Sequence, residues 1–261
     1  MANKNKVEVL IATIDDRIFA ILNKIKTIRD VNFLIVHQCF DDTITLSASE
    51  SISGYKNIRY FQQRKYGVAA SRNLALDKAI GDILLFCDDD ITFESGFLST
   101  IEAAYNTYPN ASAITFSVRE LGKKSLTKAF KKYHFIHNKL SILKVGTIEI
   151  TVKRKDLLAD YHRFPENLGA GTQYPVCDEP VFLSRLMNSN LEVHYFPTCL
   201  LSHSLESSGA EIDTMGKLMS RMIAFRYIFG PLLGRFLFVV FCVKNFSKIQ
   251  NFRWVYDSFR I

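Results

Sequence analysis

Cysteine, glycine and proline are scarce in this sequence of 261 residues, which holds five, 12 and six of them. So few glycines and prolines exclude a collagen-like or low-complexity chain. The cysteines stand alone, with no Cys-x-x-Cys pair and no cluster of Cys and His. A disulfide framework or a zinc ribbon is therefore not expected, and this cysteine usage is typical of a reducing compartment.

The chain also lacks the pattern of a secretory signal. Residues 1–6 are polar and lead directly into an apolar, strand-like run, so we expect a cytoplasmic protein. Hydrophobic residues make up 48% of the sequence and charged residues 23%. That balance excludes a disordered chain and predicts a packed core.

Positive charge is concentrated at one end of the sequence. Residues 214–261 hold eight basic residues and one acidic residue, and the net charge of the whole chain is +7. The same segment is the richest in Phe, Leu and Val. Because the charge coincides with apolar residues, we expect an anionic membrane surface as a partner, and we do not expect nucleic acid.

The apolar stretch 223–243 has the length of a membrane span, but Arg226 and Arg235 interrupt it. Each central arginine costs roughly 2.5–3.5 kcal/mol on insertion. We therefore expect amphipathic helices that lie on the inner face of the cell membrane without crossing it. The alternatives are packing against the rest of the chain and a contact between copies in a homo-oligomer.

Strand and helix signals alternate along most of the chain. The predicted strands are residues 7–12, 32–36, 57–61, 82–87, 111–118, 147–152 and 191–196, and the predicted helices are 15–29, 67–80 and 177–188. This alternation predicts an α/β fold with a mostly parallel sheet flanked by helices. We expect residues 1–210 to form one α/β domain and residues 211–261 a helical, membrane-associating appendage. The basic segment 120–144 is predicted as a helix or a mobile loop.

Three adjacent carboxylates, Asp88, Asp89 and Asp90, follow the predicted strand 82–87. They repel one another, and Mg²⁺ or Mn²⁺ would relieve that repulsion. Ligands of open α/β sheets bind beyond the carboxyl ends of the strands, where these residues lie. A solvated acidic turn before the next helix is the alternative interpretation.

The predicted helix that begins at Gly67 is a second candidate. Backbone N–H groups at its start would face an anion, and Arg72, one turn further on, would add a charge-assisted contact to phosphate. Taken alone, the segment is more typical of an ordinary amphipathic helix with Arg72 and Asn73 in solvent.

Together, the two segments resemble the family 2 glycosyltransferases of the GT-A fold. The family pattern is a Gly-x-x-x-x-Arg-Asn helix, a Gly-Asp pair, an apolar strand and an Asp-x-Asp motif. It corresponds here to Gly67, Arg72-Asn73, Gly81-Asp82 and the three aspartates. The resemblance covers roughly residues 7–230, and it includes VLIATIDDR at the first strand, LGAGTQY at 168–174, Cys177-Asp178-Glu179, and His203 with Ser207-Ser208-Gly209.

The resemblance implies a metal-dependent, inverting transfer from a nucleotide-diphosphate sugar, with a UDP-sugar favoured. It implies donor contacts from Ala12, Thr13, Asp15, Gln38, Gly67, Arg72, Asp88 and Asp89. It also implies Mn²⁺ or Mg²⁺ on Asp88, Asp90 and His203. Gln38 stands where many members carry an aspartate that contacts uracil.

On the acceptor side, the resemblance implies a loop formed by Gly169, Ala170 and Gly171, and a glycan or lipid-linked acceptor in polysaccharide synthesis. The reaction needs a carboxylate that takes the proton from the acceptor hydroxyl. An ungapped alignment from Gly169 assigns this role to Glu179, and a shift of one residue assigns it to Asp178. The alternative is that both are ordinary acids at a helix N-terminus.

Two other functions stay open: a nucleotidyltransferase on a similar scaffold, and a non-catalytic membrane-associated protein that retains the fold. Against the first, no Gly-rich loop with a following Lys lies near the first strand. A Rossmann dehydrogenase is disfavoured because no G-x-G-x-x-G follows that strand.

Overall fold

The computed structural model describes residues 6–203, 212–251 and 253–259. The strands are β1 (Val7–Ile14), β2 (Asn32–Gln38), β3 (Ile58–Gln63), β4 (Ile83–Cys87), β5 (Thr92–Phe93), β6 (Ala111–Glu120), β7 (Phe135–Ile136), β8 (Ile150–Lys153) and β9 (Glu192–His203). The helices are α1 (Ile18–Ile25), α2 (Asp42–Ile52), α3 (Val68–Lys78), α4 (Phe97–Thr107), α5 (Asp178–Asn188), α6 (Met215–Phe229), α7 (Pro231–Lys244) and α8 (Arg253–Ser258). The strands form one sheet in the order β3-β2-β1-β4-β8-β6-β9-β5, with β7 paired to β9.

The first half of the sheet is parallel, as the sequence predicts, because β1 pairs in parallel with β2 and β4, and β2 with β3. Side chains alternate between its two faces. Val9 and Ile11 of β1 belong to a core that includes Ile18 of α1 and Ile101 of α4. Leu10 belongs to the opposite core, which includes buried residues of α3 and α5. Helices therefore cover both faces.

The prediction of a mostly parallel sheet is wrong, because the sheet is mixed beyond β4, where β6 and β9 are the only described strands that pair in parallel. Strand β8 runs antiparallel to both of its neighbours, β4 and β6, and β5 and β7 run antiparallel to β9. A parallel strand needs a crossover that returns the chain to the opposite edge of the sheet. Residues 121–149 make no such crossover, so they leave β6 and enter β8 at the edge where β1 and β4 end.

The connecting segment does not form the helix that was one of the two alternatives for 120–144, and most of it is irregular. It contains the short strand β7 and two 3₁₀ turns, Ser141–Lys144 and Thr147–Glu149. The strand predicted at 147 begins only at Ile150, because the second turn occupies its first three residues. The segment places polar and charged side chains over the carboxyl edge of the sheet.

The C-terminal helices pack on the sheet domain through α6. Ile223, Ala224 and Ile228 of α6 share a buried cluster with Leu168 and with Val181 of α5. After a turn at Gly230, α7 folds back on α6, and the two helices bury a second cluster. Its core residues are Ile212, Leu218, Met222, Phe225, Phe238, Cys242 and Ile249.

An apolar face of α7 remains exposed. Its large exposed side chains are Leu232, Leu233, Phe236, Val239 and Val243. No helix in the described part of the chain is long and apolar enough to cross a membrane.

Candidate active site

The donor residues predicted at the first two strands lie at one edge of the sheet. Thr13 and Gln38 are buried near the ends of β1 and β2, and Ile14 lies opposite Gln38 in the register of these strands. Asp15 follows β1 with a positive φ of 46°. Its carbonyl oxygen lies 2.8 Å from Nε2 of the buried His37. His37, which the sequence analysis did not assign, therefore positions the turn after β1.

His37 completes this support through its other ring nitrogen, because Nδ1 lies 2.8 Å from the Tyr60 hydroxyl. Burial lowers the pKa of His37, although the Asp15 carbonyl opposes that effect. The ring is therefore neutral near pH 7. It links the end of β1 to β3 through one hydrogen bond to each.

Each of the three aspartates has a charged partner, and Arg17 is shared by Asp89 and Asp90. Arg72 Nη2 lies 3.2 Å from Asp88 Oδ1. Asp89 accepts hydrogen bonds from Arg17 and, at 2.7 Å, from the Thr13 hydroxyl. His203 Nε2 lies 3.0 Å from Oδ1 of Asp90. The protein's own basic and hydroxyl side chains thus relieve part of the repulsion expected between the three carboxylates.

The partners favour the ionised form of both Asp89 and Asp90, but burial has the larger effect on Asp89. Burial raises the pKa of Asp89, and the Thr13 and Arg17 contacts oppose that shift. The hydrogen bond from His203 lowers the pKa of Asp90. Asp90 is therefore an ionised carboxylate at neutral pH. Arg17 is the last residue of the VLIATIDDR motif, which was the sequence signal that could have assigned it.

Asp88 and Asp90 have the chemistry of a site for Mg²⁺ or Mn²⁺. Their side chains are 35% and 41% exposed, whereas Asp89 is 5% exposed and already bonded to Thr13 and Arg17. Mg²⁺ is commonly held by one or two carboxylates together with substrate phosphates. Within the described residues, no group of three or more His, Cys, Asp and Glu is arranged to hold a metal. Asp88 and Asp90 would therefore supply two carboxylate ligands to such a cation.

Arg72 links the Asp-Asp-Asp motif to Asp178 and Glu179, the two candidates for the general base. Its side chain is 6% exposed, and Nη1 lies 2.5 Å from Asp178 Oδ2 and 3.7 Å from Glu179 Oε1. Burial alone would lower the pKa of Arg72, but the carboxylates of Asp178, Asp88 and Glu179 outweigh burial and raise it. The guanidinium also lies over the Phe164 ring, 5.5 Å from its centroid. The interpretation of α3 as an ordinary helix with Arg72 in solvent is therefore wrong.

Asn73, also expected in solvent by that interpretation, is buried as well. Its amide donates to the Phe164 carbonyl at 3.0 Å, and its side-chain oxygen accepts from the Phe164 N–H at 2.8 Å. These two bonds hold Phe164 beneath the Arg72 guanidinium. The Arg-Asn pair thus forms the charged centre of the site and anchors the residue that packs against it.

The glycine loop 168–174 packs against the start of α3. The Val68 N–H donates to the Ala170 carbonyl at 2.9 Å. The Val68 N–H is therefore bonded within the protein and is not one of the amides available to an anion. Gly171 has a φ of +80°, and a Cβ there would lie 3.1 Å from the Gly67 nitrogen. The predicted acceptor loop and the predicted donor helix are thus in direct contact.

Gly169 permits the close approach of Asp178. Its φ is +95°, and a Cβ at this position would lie 2.8 Å from Asp178 Oδ1 and 3.0 Å from Val68 Cγ1. A side chain at residue 169 would displace the carboxylate that holds Arg72. The glycine is therefore required by both its backbone angle and its surroundings.

Asp178 and Glu179 begin α5 but differ in environment. Asp178 is 2% exposed; burial raises its pKa, Glu179 raises it further, and Arg72 opposes both. Glu179 is 18% exposed, and its Oε1 accepts a hydrogen bond of 2.5 Å from the Thr147 hydroxyl. Cys177, where the family resemblance has glycine, holds a φ of +74°. Glu179 is thus the more accessible carboxylate, and Thr147 is a contact that the sequence analysis missed.

The structure therefore brings Arg72, Asp88, Asp178 and Glu179 into contact, with Asp90 and His203 beside Asp88 at the adjacent end of the site. Ala12 and Gln38 lie further along the same edge, on β1 and β2. Ser207, Ser208 and Gly209, which the sequence analysis linked to His203, lie outside the described residues.

Replacing Gly169 with alanine tests the close packing of the loop. We expect Gly169→Ala to lower the free energy of unfolding by about 1–3 kcal/mol more than Gly122→Ala, since it adds a steric clash to the backbone strain. Gly122 is the matched control because its φ is +74° and no atom lies within 4 Å of the added Cβ. Urea unfolding of both variants gives the comparison, and equal losses would contradict the described contact with Asp178.

Comparison with known proteins agrees with this geometry. The model of the family described as glycosyl transferase family 2 matches residues 3–164. No sequence among the curated proteins matches the chain. The crystal structure of S. aureus TarS 1–349 is similar with a TM-score of 0.65 and 16% identity, over 93% of this chain and 72% of that one. The chain spans 44% of the longer TarS structure.

Two ligand complexes have the same fold. TarS 1–349 in complex with UDP-GlcNAc has a TM-score of 0.67 and 14% identity, over 94% of this chain and 74% of that one. The mannosyltransferase PcManGT from Pyrobaculum calidifontis, in complex with GDP-Man and Mn²⁺, has a TM-score of 0.61 and 14% identity, over 88% and 66%. At these identities the likeness shows the fold alone. The family match covers more than half of the chain, and this protein therefore belongs to glycosyl transferase family 2 and is a glycosyltransferase with a GT-A-like fold.

Proposed function

We propose that this enzyme transfers a sugar, with inversion, from a nucleotide-diphosphate sugar to a hydroxyl group of a glycan or lipid-linked acceptor. The observation that carries the proposal is the buried Arg72, which contacts Asp88 on the donor side and Asp178 beside the base. A UDP-sugar is the favoured donor. The complex of TarS with UDP-GlcNAc supports this choice, and the complex of PcManGT with GDP-Man and Mn²⁺ supports a nucleotide sugar and a divalent metal in general.

The donor lies along the carboxyl ends of β1, β2 and β4 in this proposal. Asp15 and Gln38 face the nucleoside, with the Gln38 amide bonding to the edge of the base. Asp88 and Asp90 would hold Mn²⁺ or Mg²⁺, which neutralises charge on the diphosphate when bound. Arg72 places a fixed positive charge beside the same leaving group, in a site where water is largely excluded.

Glu179 serves as the general base. One displacement at the anomeric carbon forms the bond to the acceptor oxygen and breaks the bond to the diphosphate, while the hydroxyl proton passes to Glu179. Thr147 holds Oε1 of Glu179 at 2.5 Å, which leaves the other oxygen to receive the proton. Asp178 is a positioning residue, because it holds Arg72 and is almost entirely buried.

A thermal-shift panel of nucleotide sugars tests the donor. A ligand at 100 times its dissociation constant stabilises the native state by about 2.7 kcal/mol, so we expect one nucleotide sugar to raise the melting temperature in the presence of Mn²⁺. Asp90→Asn should abolish the Mn²⁺-dependent part, whereas Asp42→Asn, at an exposed carboxylate of α2, should retain it. The same shift in EDTA, or none with any nucleotide sugar, would refute the donor site.

Turnover of Glu179 variants tests the base. We expect Glu179→Gln to lower turnover by about 10²–10⁴-fold, since the proton acceptor is lost, while donor affinity is retained. Glu50→Gln, at an exposed position of α2, is the control. Normal turnover in Glu179→Gln together with a loss in Asp178→Asn would assign the base to Asp178 instead. Normal turnover in both would remove this mechanism.

We also infer that the C-terminal region, residues 211–261, holds the catalytic domain, residues 1–210, at the cytoplasmic face of the cell membrane. The support is the exposed apolar face of α7, described above, together with Arg235, Lys244 and Lys248. Phe225 and Phe238 do not contribute to this membrane contact, because they are buried between α6 and α7. A lipid-linked acceptor would then be held at the same surface.

Vesicle sedimentation tests this inference. We expect Leu232→Ser combined with Phe236→Ser to weaken binding to anionic vesicles at least about tenfold, since burial of each side chain contributes roughly 1.5–3 kcal/mol. Leu46→Ser, at an equally exposed apolar position on α2, should bind normally. High salt should weaken binding without abolishing it. Equal binding of the wild type to neutral and anionic vesicles, or dimers that disappear in the double variant, would contradict the membrane assignment.

A further inference from the structure

The structure contains a cavity of about 470 Å³ on the side of the sheet where β6 and β9 lie. The connecting segment 121–149 forms most of its wall, and Tyr195 of β9 and Thr115 of β6 form the remainder. None of the residues assigned to the donor or the metal lines it. Its size is that of a small-molecule site.

The cavity shares a structural element with the proposed base. The 3₁₀ turn Thr147–Glu149 places Glu149 in the cavity wall, while Thr147 of the same turn donates its hydroxyl to Glu179. The register of β8 against β4 sets this turn at the end of β4, next to Asp88. A molecule in the cavity is therefore bounded by the turn that holds the Glu179 carboxylate.

The walls of the cavity combine aromatic rings with hydroxyl and imidazole groups. Phe130 lies parallel to the Tyr195 ring at a centroid distance of 6.3 Å, and Phe135 packs on Tyr195 at 5.1 Å. His137 is buried and bonded to Thr115 and Ser141. Apolar ring faces next to polar groups suit a sugar ring, which has faces of both kinds.

The charge of the cavity wall is positive. Its one carboxylate, Glu149, is paired with Lys128 and accepts the Gly146 N–H at 2.9 Å. Lys131 and Lys144 also line the cavity, and no carboxylate of the described residues forms an ion pair with either of them. Burial lowers the pKa of His137 to about 4, so it adds no charge at neutral pH. The ammonium groups of Lys131 and Lys144 therefore lie at the cavity without a carboxylate partner among the described residues.

We propose that this cavity binds the acceptor, and that the acceptor carries an anionic group, a carboxylate or a phosphate, recognised by Lys131 and Lys144. The sugar ring packs on Phe130 and Tyr195, and its reacting hydroxyl points toward Glu179. This assignment rests on the proposed function, because it takes the molecule in the cavity to be the sugar acceptor.

Ligand-observed NMR titration of the full chain, with and without UDP and Mn²⁺, tests the assignment. The probes are methyl glucuronide, glucose 6-phosphate and the neutral methyl glucoside. We expect one or both acidic probes to bind more tightly than the neutral one. The double variant Lys131→Gln with Lys144→Gln should weaken acidic binding by about 3–10-fold, as loss of two partly exposed charge pairs predicts, and leave nucleotide affinity unchanged.

Lys132→Gln is the matched control, because Lys132 is exposed on the same segment but does not line the cavity. Preference for one acidic probe over the other distinguishes a carboxylate from a phosphate acceptor. Equal binding of acidic and neutral probes, or unchanged binding in the double variant, overturns the inference. Failure of the proposed function would give a different result. No nucleotide would then bind the wild-type chain, while the cavity probes would still bind.

Discussion

The buried positive charge of Arg72 is the constraint on which the site depends. It lies on α3, and its carboxylate partners, Asp88 and Asp178, lie 16 and 106 residues further along the chain. Removing one partner of a buried ion pair typically costs about 3–5 kcal/mol, because the other charge is left uncompensated. The end of β4 and the start of α5 are therefore held at fixed positions around one guanidinium, and Gly169 leaves the space that this arrangement needs.

The direction of β8 gives the site its second half. Because β8 is antiparallel to β4 and β6, the chain between β6 and β8 stays at the edge of the sheet where β4 ends, close to Asp88 and Glu179. Thr147 and Glu149 come from that chain. The same topology thus supplies a hydrogen bond to the proposed base and one wall of a basic, aromatic cavity beside it.

The sequence predicts local features well and non-local ones poorly. The apolar runs of β1 to β4 are local, and the strands that they predict were confirmed. Helix α2 was missed because only Ala48 and Ile52 are buried, so its apolar pattern is weak and its start rests on the Asp41 cap. The direction of β8 and the burial of Arg72 depend on partners far away in the chain, which no short window of sequence contains.

A double-mutant cycle on Arg72 and Asp178 tests most directly whether this ion pair holds the two halves of the site together. The free energies of unfolding of Arg72→Met, Asp178→Asn and the double variant give the coupling, since neighbouring residues of one network typically deviate from additivity by about 0.5–3 kcal/mol. We predict a coupling of at least about 1 kcal/mol. The double variant should lose less free energy of unfolding than the two single variants lose when their losses are added. Additive losses, within about 0.5 kcal/mol, would contradict it.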